Sequence, residues 1–346
     1  MRPFQLLLAS LLLTTSGLIL LVVPTRAQGQ QAATITGTVT NAETGEPLPG
    51  VHVFITQSMK GTVTDSSGHY RLTDVPRSRT RLVGSRVGFR PMHRIVQIRE
   101  SRTYTVDLAL EPTVVAGEEI VIEGERDEEA IRRLKRFRAR FLGVSKIARS
   151  AEIVNLEVLR FEEKDNALIV RATEPIVINH PVLGYRIHYT LREFIAKGEA
   201  AQYSGEPLFE PMTPETEAEQ DRWEEYRRRA YEGSFIHFVR AAVDAHCEAE
   251  GFRVTAGLRS AQVNCTELFE SHPGPHIVKL PLKYSIRIVF EDQEESTLLP
   301  NDPPILIDTR GALVRPYSVI FRGAMGKTGV ADLLPLEYTP KGEDQP

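Results

Sequence analysis

Residues 237–251 read HFVRAAVDAHCEAEG, which sets histidine, arginine, carboxylates and a cysteine within a few helical turns. On a helix, His237, Arg240 and Asp244 are three and four residues apart and share one face. Such a trio can hold an anion or position a proton shuttle. The plainer reading is an Arg240–Asp244 pair on the helix surface beside a half-buried histidine. His246, Glu248 and Glu250 are metal-ligand types, but their spacing points them around the helix rather than to one side, so no metal is expected. Cys247 and Cys265 are the only cysteines. If Gly251 ends the helix and 252–258 runs back as a strand, 259–265 returns Cys265 towards the helix end, within the separation of about 7 Å that a disulfide needs. The alternative is two buried thiols. Two cysteines alone cannot build a structural zinc site.

Phosphate chemistry is suggested by GAMGKTG (323–329), which follows the apolar run YSVIF. A P-loop places four residues between its first glycine and Gly-Lys-Ser/Thr, so that consecutive backbone N–H groups wrap the phosphates. Here only Ala324 and Met325 separate Gly323 from Gly326, and Phe321 stands where the first glycine belongs. A glycine turn at a strand end is expected, and no nucleotide. His-x-x-Glu, His-Glu-x-x-His and Gly-x-Ser-x-Gly are all absent. DSSGHY (65–70) has Pro76 where a calcium loop carries its twelfth-position Glu, so it reads as a turn. The motifs therefore point to no enzyme and no cofactor.

Charge is unevenly spread. RRLKRFRARF (132–141) packs six basic residues into ten positions. An amphipathic helix over 126–143, with Ile131, Leu134, Phe137 and Phe141 on its apolar stripe, would carry them on the other face. That face fits an anionic surface or an acidic partner, and otherwise is simply solvated. Over the whole chain of 346 residues the formal net charge is −4, which gives no general attraction to nucleic acid.

With 41% hydrophobic and 25% charged residues, the composition is that of a globular protein of two or three domains. The N-terminus has a charged start, an apolar stretch from Phe4 to Val23, and Thr25-x-Ala27. This is the layout of a signal peptide, residues 1–27, cleaved after Ala27. The stretch is also long enough to span a membrane, so a retained anchor is the alternative. Either way the remainder of the chain is expected to be exported.

Residues 34–111 alternate and turn as about seven short strands, which suggests a β-sandwich able to fold by itself. An acidic linker, 112–125, leads to an α+β domain over 126–340. There the basic helix precedes strands within 151–195 and a helix over 213–233, with Thr213 as cap and Pro214 at its first position. A second helix follows at about 234–250, and strands resume from 276.

The first module also carries a distinctive pattern: Gly37-x-Val39, Thr44-Gly45-x-Pro47-Leu48-Pro49-Gly50-Val51, Thr64-Asp65-x-x-Gly68-x-Tyr70 and Val87-Gly88-Phe89. In these it resembles the carboxypeptidase-regulatory-like domain, a β-sandwich of transthyretin/immunoglobulin-like type. The resemblance implies a domain without catalytic residues, of the sort appended to metallocarboxypeptidases and to bacterial outer-membrane transporters and other envelope proteins. FLGVSKIARSAEIVNLEVLRF, LGYRIHYTLREF, AYEGSFIHFVRAAVDAHCEAEGFRV and VADLLPLEY resemble the region that follows it in a group of bacterial envelope proteins. That likeness implies no function. It does imply that the GKTG stretch is a closing strand and turn.

Together these readings favour a non-enzymatic binding or scaffolding protein that engages an envelope protein, peptide or glycan. A hydrolase with His237, Arg240 and Asp244 in its site is the alternative, and an accessory role in outer-membrane transport is another.

Overall fold

The structure, a computed structural model, describes residues 32–113, 118–119, 128–198, 200–256, 261–273, 276–281 and 284–341. The expected signal peptide and most of the expected linker lie outside the described residues.

Strict alternation in Ala33–Asn41 turns Ala33, Ile35 and Val39 inward and Thr34, Thr36, Thr38 and Thr40 outward. This strand is the centre of one sheet. His69–Val75 pairs with it antiparallel, and Thr103–Thr105 and Leu108–Leu110 pair with it parallel. The second sheet runs Gly61–Val63, His52–Ile55, Arg79–Ser85, Met92–Gln97, all antiparallel. The two sheets enclose Ile35, Val53, Leu72, Leu82, Leu108 and Leu110. The N-terminal module is therefore a β-sandwich. It has eight strands because the run TYTVDLAL breaks in two, where the Tyr70 hydroxyl donates to the Val106 carbonyl (2.6 Å) and Asp107 accepts from the Thr38 N–H (2.8 Å). DSSGHY is the turn its sequence suggests. Gly68 takes φ +73°, and the Asp65 carboxylate accepts from the N–H groups of Ser67 and His69.

An α+β region follows. Helix α1, Glu128–Phe141, buries Leu134, Phe137 and Phe141 against a seven-stranded sheet. Phe137 meets Phe194 edge-on at 4.9 Å, and Phe141 meets Tyr189 at 5.0 Å. The spine of that sheet is Tyr185–Lys197. It pairs with Ala200–Pro211 along one edge and with Ile176–His180 and Ala167–Ala172 along the other. Helices α2, Glu217–Tyr231, and α3, Phe235–Val243, come next. A further core, which includes Phe238, Phe252, Ile288, Leu298 and Ile307, lies between α3 and two smaller sheets.

Three local expectations are corrected. Ile131 is 41% exposed, on the border of α1 rather than in its buried stripe. Helix α2 is capped by Thr216, whose hydroxyl accepts from the Glu219 N–H (3.2 Å), so Thr213 and Pro214 precede the helix. Helix α3 stops at Val243 instead of reaching 250. Ala245 turns left-handed (φ +62°), and the N–H groups of His246 and Ala245 close back on the carbonyls of Ala241 and Ala242, a Schellman-type ending. Ala200–Pro211, for which no element was expected, is a strand although it holds Gly205, Pro207 and Pro211. As an edge strand it tolerates residues without an N–H, and a long hairpin partner supplies the remaining bonds.

Candidate functional site

The three side chains singled out by spacing do not converge. His237 is buried, and both its ring nitrogens are engaged. Nδ1 accepts from the Gly233 N–H (3.1 Å), which puts the proton on Nε2, and Nε2 donates to Glu250 (3.2 Å). The rings of Tyr231 and Phe252 pack on it at 4.7 Å each. Burial lowers the pKa of His237 and the nearby Glu250 carboxylate pulls it back up, so the neutral ring is retained. A general base needs a free lone pair beside its substrate, and here that lone pair faces a backbone N–H. Arg240 donates to three carbonyls: Nε to Arg310 (3.1 Å), Nη1 to Tyr338 (2.7 Å) and Nη2 to Leu336 (2.9 Å). It therefore clamps the C-terminal segment to α3 and does not pair with Asp244. Asp244 is exposed at the end of α3.

A cleft of about 430 Å³ opens beside His237, with Arg228, Tyr231, Glu232, Glu250 and Lys341 among its walls. Arg228 and Glu232 already face each other at 3.6 Å. His246 and Glu248 are exposed and apart from the His237–Glu250 pair. Among the described residues no group of three or more His, Cys, Asp or Glu side chains is placed to hold a metal ion. Cys247 and Cys265 are joined as a disulfide with Cα atoms 6.0 Å apart. Cys247 sits in the turn after α3, not on the helix, and Cys265 opens a short 3-10 turn.

The GKTG stretch is a joint. The strand Val319–Gly323 ends at Gly323 (φ +75°), and a 3-10 turn over Met325–Lys327 follows. Beyond it, Gly329 lies backbone to backbone against Gly143. A Cβ on Gly143 would fall 2.7 Å from the Gly329 nitrogen and 2.6 Å from an Asp332 oxygen. Asp332 bonds the Ser145 hydroxyl and the Gly329 N–H, and burial raises its pKa.

The two faces of the sandwich differ. The outer face of the second sheet is turned to the α+β region. Arg81 reaches Glu206 (3.1 Å) and the Val314 carbonyl (2.7 Å), and Arg192 binds the same, deeply buried Glu206. Backbone bonds reinforce the contact, from the Gln57 N–H to Pro207 (2.6 Å), from Phe209 to Ser58 (2.9 Å) and from Leu336 to Gln57 (2.9 Å). The outer face of the first sheet is different. There Thr105, Thr36 and Arg71 stand in one cross-strand row, with Thr103–Thr34 and Thr38–His69 as neighbouring pairs.

Residues 35–122 match the family model of the CarboxypepD_reg-like domain. This segment is a carboxypeptidase-regulatory-like domain. No curated protein matches the chain. Among solved structures, the chain is similar to a type II cohesin–X-dockerin complex from Acetivibrio cellulolyticus, at 15% identity and a TM-score of 0.20, covering 34% of this chain and 79% of that one. It is also similar to the C-terminal domain of the shaft pilin SpaA from Lactobacillus rhamnosus GG (16%, TM-score 0.19, 24% of this chain and 98% of that one). A protein of unknown function from Bacteroides fragilis NCTC 9343 overlaps 46% of this chain and 64% of its own, at 17% identity and a TM-score of 0.20. Overlaps this partial carry no functional argument.

Within the regulatory-like domain, His93 lies at the contact with the α+β region: burial, with Arg192 and Arg81 beside it, lowers its pKa. Sequence reasoning missed this interface because its partners, such as Arg81 and Glu206, are 125 residues apart and carry no local motif.

Proposed function

We propose that this protein is an exported, non-enzymatic binding or scaffolding component of the bacterial cell envelope. In this reading its regulatory-like domain offers one sheet to a peptide or glycan while the other is fixed to the α+β region. Residues 34–111 and 126–340 are its two folding units, behind a signal peptide cleaved after Ala27, and the periplasm or outer membrane is its place of action. An accessory part in outer-membrane transport is a narrower form of the same reading.

The observation that carries it is the asymmetry of the sandwich. In the second sheet, Arg81 is occupied by Glu206 and the Val314 carbonyl. The first sheet carries a row of threonine side chains with Arg71 and His69, in which the Thr36 hydroxyl donates to the Tyr70 carbonyl (2.9 Å). Hydroxyls donate and accept together, which suits a polar chain lying along a sheet. The hydrolase alternative loses support because His237 has no free ring nitrogen and Arg240 is tied to three carbonyls.

Peptide and glycan arrays probed with the purified chain test this. Binding should be lost in Thr36→Lys and Thr105→Lys, which place long charged side chains on that face, with circular dichroism confirming the fold. Binding unaltered by both variants refutes the face assignment. Turnover of ester, peptide or glycoside substrates that disappears in His237→Gln refutes the non-enzymatic reading. N-terminal sequencing of envelope-fraction protein should begin at Gln28, and an intact Met1 counts against cleavage.

A further inference from the structure

From Ala130 to Ala151 the chain carries eight arginines and lysines and no acidic residue, in a protein whose net charge is −4. Helix α1 sets out this charge in a definite way. Because it buries Leu134, Phe137 and Phe141, Arg132, Lys135 and Ala139 fall on the opposite face, with Ile131 on the border. Two of the cations serve the fold. Arg133 pairs with Glu129 and lies 3.8 Å from Glu163, and Arg136 donates to the Ala196 carbonyl (2.8 Å). Arg132, Lys135, Arg138, Arg140, Lys146 and Arg149 have no carboxylate partner among the described residues.

Beyond α1, Gly143 (φ +101°) turns the chain so that the Val144 N–H donates to the Lys327 carbonyl (3.2 Å). The exposed Lys327, the cation of the failed phosphate loop, thereby joins the same strip. Ile131 and Val144, 41% and 47% exposed, are set among these cations.

We propose that this strip, from Ile131 through α1 to Arg149 and Lys327, docks on a membrane surface of anionic lipid headgroups. Its cations would meet phosphates, and Ile131 and Val144 would reach the acyl boundary. Charge selects an anionic partner, because a run of unpaired cations without interleaved acids repels itself until neutralised. Shape and apolar content select a membrane. A convex helix face has neither the groove nor the free sheet edge that holds an extended peptide, and exposed aliphatic side chains among cations are the pattern of interfacial helices. The proposal is independent of what the threonine-rich sheet face binds.

Sedimentation of the full chain with vesicles tests it, comparing pure phosphatidylcholine with vesicles that include about one-third phosphatidylglycerol. The neutral vesicles register whatever the apolar N-terminal residues contribute. Binding should favour the anionic vesicles and weaken with salt. The triple change Arg132→Gln, Lys135→Gln, Arg138→Gln should reduce that preference on the order of 100-fold, at roughly fivefold per charge. Ile131→Ser with Val144→Ser should reduce it further. An equal charge change on the sandwich, Arg77→Gln, Arg94→Gln, Arg99→Gln, should leave it within about twofold. Three results overturn the proposal: no preference for anionic vesicles, equal loss in the sandwich variant, or complete displacement by soluble polyglutamate in place of lipid.

Discussion

Replacing Arg240 by methionine removes every donor of the guanidinium while keeping most of the side-chain stem. The change leaves three carbonyls, of Arg310, Leu336 and Tyr338, without the partner that now reaches them at 3.1, 2.9 and 2.7 Å. It also removes a cation 5.4 Å above the Tyr231 ring. A hydrogen bond from a charged donor is worth about 1.5–3 kcal/mol, but the three share one side chain and are not additive. Arg240 is only half-buried, so water can replace part of what is lost. A loss of about 3–4 kcal/mol is therefore expected. For a chain of this size that is a fall in Tm of roughly 4–6 °C. Hydrogen exchange gives the local readout, since amides of 330–341 should lose protection before the sandwich does. Arg240→Lys should recover less than half of the loss, because an ammonium lacks the planar fork that spans several carbonyls. If Arg240→Met melts within about 1 °C of wild type, with protection of 330–341 unchanged, the clamp assignment is wrong and the anion-site reading of Arg240 returns.

Acid sensitivity is expected from His180. Burial, opposed by the backbone of Ala331, lowers its pKa from 6.5 to about 4. The unfolded state takes up the proton first, so the stability held above pH 6.5 declines as pH falls towards 4, by about 3 kcal/mol in total. Urea midpoints followed across that window should fall less steeply in His180→Gln. Unreduced, denatured protein should show no reactive thiols, and Cys247→Ser should cost about 3 kcal/mol in denaturant titration; two labelled thiols per chain contradict the pairing. Gly143→Ala places a methyl 2.6 Å from Asp332 and imposes φ +101° on an L side chain. A loss of about 2–4 kcal/mol should appear in thermal melts, and an unchanged melt would mean that the backbone contact with Gly329 is not tight.

Where the determinants are local, the sequence by itself was decisive. Period-two alternation in Ala33–Asn41, with turn residues such as Asp65 and Gly68, specifies strands and turns through sterics and short-range hydrogen bonds that need no distant partner. The spacing of GAMGKTG likewise decided against a phosphate loop, because that site is made from consecutive backbone groups. Tertiary structure decided the rest. Residues 244–250 are compositionally helical, yet α3 ends at Val243 with Ala245 left-handed. A lone left-handed alanine costs about 1–2 kcal/mol, a price that contacts with distant parts of the chain, including the Cys247–Cys265 link, can offset. Ala200–Pro211 is a strand because Tyr185–Lys197 lies beside it, despite two prolines. Arg240 shares a helical face with His237, which suggests chemistry. Its geometry, however, is set by carbonyls 70 to 98 residues away, and pairings at that separation depend on how the sheets stack rather than on any spacing along the chain.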